Sequence, residues 1–81
     1  MIYCATLLYW PKVTGVSAQL SEHTNLRDAK SACAAIAYRE RVNGMTFAIS
    51  GEDRNGNASD YEGLVTVNPR TGNVSVQWIQ M

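Results

Sequence analysis

The chain is poor in the residues that build catalytic and metal sites. It has one histidine, two cysteines and one phenylalanine in 81 residues. Any Cys–His or Ser–His–Asp arrangement would have to use His23. That residue stands in a short polar connection, away in sequence from Cys4 and Cys33, and reads as a surface histidine. A zinc site wants a closed set of nitrogen and sulfur ligands at close spacing, and these three are scattered. No glycine-rich run opens a helix, so the phosphate-cradling loop of nucleotide enzymes is missing. No catalytic residue, metal or cofactor is expected, and the chain reads as a non-enzyme.

A charge of one sign is missing too. Seven basic residues balance seven acidic ones. General adhesion to DNA needs a clear positive excess, and a DNA mimic needs the opposite. Only a local patch remains open. No apolar run is long enough to span a bilayer. The stretch from Met1 to Trp10 is apolar but lacks a basic leader, so it makes a poor signal peptide. The expected location is the cytoplasm, without a membrane partner. Cys4 and Cys33 are then expected as reduced thiols, with a disulfide between them left open.

What is present is the composition of a folded domain. Hydrophobic residues make up 46% and charged residues 17%, too apolar a mixture for disorder. Residues 1–81 should form one domain, burying about 60–65% of the unfolded surface. Such a thin core leaves no room for a deep cleft.

Periodicity sets the elements. Ile2 to Trp10 reads as a central strand, apolar on both faces and ended by Pro11. Val16 to Ser21 alternates, with Val16, Ala18 and Leu20 inward, and should pair back on the first strand. Asn25 can cap a helix whose third position is Asp28. The helix should run to about Val42 and stop at Asn43-Gly44, with Gly44 left-handed. Its apolar stripe is Leu26, Ala29, Cys33, Ile36 and Ala37. Met45 to Ser50 is a third strand. Gly51 to Asp60 is either a loop or a hairpin turning at Asn55-Gly56. Gly63 to Gln80 then reads as two strands joined by Asn68-Pro69-Arg70-Thr71-Gly72-Asn73. The fold class is α+β: one antiparallel sheet of four to five strands, one helix on one face, order ββαβββ.

Three patterns bear on function. Asp53-x-Asn55-x-Asn57 opens like a calcium loop, but Ala58 and Leu64 stand where that motif needs glycine and glutamate. A plain turn is expected, and its carboxylates should be solvated. Arg27, Lys30, Tyr38 and Arg41 fall on one side of the helix, while Glu52 to Glu62 is rich in acids. A neutral total could therefore hide a basic helix face and an acidic loop; a plain solvated face is the simpler reading. Tyr3, Tyr9, Trp10, Tyr61 and Trp78 are many aromatics for a small core. One helix covers one sheet face, so the other could expose Tyr or Trp as interface anchors. The candidate binding residues are Arg27, Lys30, Tyr38, Arg41, Tyr61 and Trp78.

Thr24-Asn-Leu-Arg-Asp-Ala-Lys-Ser-Ala32, between a strand and Gly44-Met-Thr-Phe-Ala-Ile-Ser50, resembles the strand–helix–strand layout of small phage-encoded inhibitors, including some anti-CRISPR proteins. That resemblance implies a viral protein that acts without catalysis by binding a host protein complex in the host cytoplasm. No functional residue carries over from it. The segment Tyr61 to Trp78 is also similar to the helix-then-meander ending of PepSY-type domains, which are usually exported. The leading expectation is a protein-binding inhibitor that blocks a bacterial defence complex. The alternatives are a nucleic-acid-binding module using the basic helix face, and a homo-oligomer pairing through the last strand. The chain is expected as a monomer or homodimer.

Overall fold

In the computed structural model, which describes residues 2–11, 18–52, 56 and 58–81, the chain forms five strands and one helix. They are β1 (Tyr3–Tyr9), β2 (Ala18–His23), α1 (Leu26–Glu40), β3 (Thr46–Glu52), β4 (Ala58–Val67) and β5 (Val74–Gln80). The sheet order is β2-β1-β3-β4-β5, and every neighbouring pair is antiparallel. Because β2 and β3 both oppose β1, they run parallel to each other, and α1 is the crossover between them. This is the expected ββαβββ α+β architecture.

The core forms where strand alternation meets helix periodicity. Ala5 and Leu7 of β1, Met45, Phe47 and Ile49 at β3, and Val65 of β4 point to one face. Ala29, Cys33 and Ala37 of α1 close over them. These three are spaced one turn apart, and their small side chains let the helix settle close to the strands. Burying side chains such as Phe47, Met45 and Ile49 stabilises by about 1.5–3 kcal/mol each.

Both helix ends have a local cause. Asn25 is extended, and its Oδ1 accepts from the Asp28 backbone N–H at 2.8 Å. Asn25 Nδ2 in turn donates to Asp28 Oδ2 at 3.0 Å, so the cap is reciprocal. At the other end the structure corrects the sequence reading. The helix stops at Glu40, and Arg41, not Gly44, is its left-handed cap, with φ 52° and its N–H on Ala37 O at 2.9 Å. Gly44, with φ 94°, serves the next step. Its N–H reaches Val65 O at 2.9 Å, and Val65 N–H reaches Met45 O at 2.9 Å. Stopping the helix early thus lets 44 and 45 extend the ladder with β4.

The polar segment after β3 resolves toward the hairpin reading. β3 and β4 stay paired out to Glu52 opposite Ala58, so β4 begins well before Gly63. Asp53, Asn55 and Asn57 lie outside the described residues, and the calcium-like run with them. Val16 also lies outside them, whereas Ala18, expected inward, is exposed at the sheet edge. The last hairpin turns where expected: Asn68 O accepts from Gly72 N at 2.8 Å, and Asn68 Oδ1 accepts from Arg70 N at 2.8 Å.

Two strand glycines seat aromatic rings from the neighbouring strand. Tyr3 lies across Gly51, and Trp78 lies across Gly63. A Cβ on Gly63 would stand 2.7, 2.8 and 2.9 Å from three Trp78 ring atoms. Gly63 is therefore part of what fixes Trp78 in place.

Candidate functional site

With Ala29, Cys33 and Ala37 facing down, helical spacing turns positions 27, 30, 34 and 38 toward β5. On β5, alternation lifts Val76 and Trp78 to the same side of the sheet. Between them runs an open groove of about 440 Å³. Leu26, Arg27, Lys30, Ser31, Ala34 and Tyr38 form the helix wall, and Val76 and Trp78 form the strand wall.

Four of the six residues singled out from the sequence, Arg27, Lys30, Tyr38 and Trp78, line this groove. Tyr61 joins them through Lys30, whose Nζ lies 5.3 Å from the Tyr61 ring centre and 5.8 Å from that of Trp78. Such cation–π contacts are worth about 0.5–1 kcal/mol at partly exposed sites. They hold the ammonium at the groove while leaving it charged. Arg41 sits beyond the lining, at the helix end. Its Nη1 donates to Gly72 O at 3.2 Å and ties α1 to the β4–β5 turn. Tyr38 is more than half exposed.

Charge is divided across the sheet. Arg27, Lys30 and Arg41 have no carboxylate partner among the described residues, where the recorded ion pair is Arg39 Nε with Glu40 Oε1 at 3.0 Å. Three of the acids expected in or beside a loop stand on strands instead. Glu52 ends β3, and Asp60 and Glu62 lie on β4. Their alternation sends them to the face away from α1, where Glu22 of β2 joins them. No lysine or arginine among the described strand residues points to that face. The sheet thus separates a basic helix side from an acidic open side.

The open face carries Leu8, Tyr9, Leu64 and Ile79 as its exposed large apolar side chains. Tyr9 is the tyrosine exposed on that face. Both tryptophans pack against the core, as do Tyr3 and Tyr61, so the idea of a tryptophan on the uncovered face is corrected. Glycine seats take the rings of Tyr3 and Trp78 on the helix side of the sheet.

The two cysteines are free and on opposite sides of the sheet. Cys4 faces the open side, its Sγ 4.0 Å from Glu22 Oε1. Cys33 is fully buried beneath the helix, and burial pushes its thiol up to about 11. A bond between them would have to cross the sheet, so the disulfide left open by the sequence is excluded. His23 is half-buried, not a plain surface residue. Its Nε2 lies 2.7 Å from Ser21 Oγ, and among the described residues no carboxylate hydrogen-bonds the ring. No three His, Cys, Asp or Glu side chains among the described residues come together as metal ligands.

Sequence reasoning missed Leu26, Ser31 and Val76 as groove residues. Leu26 and Val76 read as ordinary core positions, and only the gap between α1 and β5 opens them to solvent. No protein family, curated protein or solved structure matches the chain. Fold and site together define a small α+β domain with a basic, aromatic groove along one sheet edge.

Proposed function

We propose that this chain is a non-enzymatic protein-binding module whose α1–β5 groove docks an acidic segment of a partner. One observation carries the reading: Arg27 and Lys30 stand with Tyr38 and Trp78 in a single open groove, with no carboxylate among the described residues paired to them. Aromatic and cationic side chains in a concave, partly apolar site are what interface anchors require. A protein is favoured over a nucleic acid by the rings themselves. Lys30 already lies over Tyr61 and Trp78, so those faces are not free to stack on bases. The specific form of this reading is an inhibitor that blocks a host complex by occupying its surface, and it rests on the likeness of the 24–50 segment to small phage-encoded inhibitors.

The test is affinity purification from bacterial lysate with three chains: wild type, Arg27→Glu with Lys30→Glu, and Glu62→Arg on the far face. The expected result is one partner held by the wild type and by Glu62→Arg, and lost with the double reversal. Retention of the partner by the double reversal, or a bound nucleic acid in place of a protein, would overturn the reading.

A further inference from the structure

The two edges of the sheet are unlike. β2 is irregular: its register on β1 shifts at Leu20, and it carries Glu22 and His23. Bulges and charges of this kind are how edge strands are kept from pairing with other chains. β5 has none of these. It is a regular strand of seven residues, Val-Ser-Val-Gln-Trp-Ile-Gln, without charge, proline or a shift in register.

The orientation of its free backbone groups follows from the ladder. Asn73 O accepts from Asn68 N at 2.9 Å, and Met81 N donates to Asp60 O at 2.8 Å. Odd-numbered residues of β5 therefore turn their N–H and C=O toward β4, and Val74, Val76, Trp78 and Gln80 turn theirs outward. These outward residues are also the ones whose side chains rise on the helix side, beside the groove. Open backbone groups, apolar side chains and the cations of α1 thus run along one line.

We infer that β5 takes up an extended acidic peptide segment of a partner protein as a sixth, edge-added strand. This rests on the groove reading above and specifies how the groove is filled. Main-chain bonds to Val76 and Trp78 hold the segment. Every second side chain of the segment rises under the α1 wall, where Arg27 and Lys30 select carboxylates. A second copy of this chain is disfavoured as the occupant. Antiparallel β5–β5 pairing about a twofold axis would put both helices on one side of the joined sheet, with the Arg27 and Lys30 rows facing each other across the seam.

The experiment uses the full chain and a synthetic seven-residue peptide of alternating glutamate and valine at millimolar concentration. Two companions are run: the same peptide with lysine for glutamate, and the glutamate peptide N-methylated on alternate amides to block edge pairing. Amide hydrogen exchange is followed by NMR. The glutamate peptide should slow exchange at Val74, Val76, Trp78 and Gln80 tenfold or more, and neither companion should do so. Equal effects from the N-methylated peptide, with shifts at Lys30 and Tyr38, overturn strand addition but leave the groove reading standing. No slowing with any peptide overturns strand addition, while the groove reading stands or falls on its own charge-reversal test. Slowing that grows with protein concentration alone overturns it in favour of self-pairing.

Discussion

Gly63→Ala is a small change with a calculable effect. The added methyl would sit 2.7–2.9 Å from three atoms of the Trp78 ring. Carbon atoms pack at about 3.5–4.0 Å, so the ring must shift by close to an ångström or swing out of the groove. Gly63 is buried between β3 and β5, so its own backbone has little freedom to yield. Overpacking of this kind costs about 1–3 kcal/mol. In a Trp78→Ala background the obstacle is gone. Alanine is then the better strand residue, by about 0.5–1 kcal/mol. The same substitution should therefore destabilise the wild type and be neutral or stabilising when Trp78 is absent. The coupling in the double-mutant cycle should reach about 1.5–4 kcal/mol. Urea unfolding followed by circular dichroism measures all four chains. Trp78→Ala alone should cost less than the about 3–5 kcal/mol of a fully buried aromatic, because one side of the ring is left open at the groove. An equal cost of Gly63→Ala in both backgrounds would refute the claim that the glycine is there to seat the ring.

Two further outcomes follow from the buried thiol and the helix cap. Cys33 holds its proton more tightly folded than unfolded, since burial lifts it from 9.0 to about 11. That stabilisation is complete below the unfolded value and is lost as pH rises through the folded one, a loss of about 2–3 kcal/mol. Urea unfolding at about pH 8 and about pH 11 should show a smaller loss by that amount in Cys33→Ala than in the wild type, and identical losses would contradict it. Asn25→Ala removes the acceptor for the Asp28 N–H and the reciprocal bond, and should cost about 1 kcal/mol in the same assay. An unchanged midpoint would mean that water replaces the cap without loss.

Much of the fold was legible because its signals are local. Alternation marked Phe47 and Ile49 as one face of a strand, and the spacing of Ala29, Cys33 and Ala37 marked the buried side of a helix. The Asn68 to Asn73 turn carried its own chemistry in Asn68 and Gly72. The helix end was misread because Gly44 is the better left-handed residue by intrinsic preference. Tertiary pairing decided otherwise: Gly44 was needed to hook onto Val65, and Arg41 took the cap with its guanidinium on Gly72 O. The acids from Glu52 to Glu62 looked like a loop because glycine and asparagine surround them. Cross-strand pairing of β3 with β4 made most of them strand residues.

The candidate site was legible only in halves. Helical spacing put Arg27, Lys30 and Tyr38 on one side of α1, and alternation put Trp78 with Val76 on β5. Nothing local says that these two faces meet, since that depends on strand order and on where the crossover helix comes to rest. The same holds for charge. The sequence by itself determined that positive and negative residues cancel, and which side of its own element each one occupies. Only the tertiary structure decided that the sheet would stand between them, with cations along the β5 edge and acids on the open face. Periodicity is a property of a short stretch of chain, whereas the placing of stretches against one another is settled by the burial of the shared core.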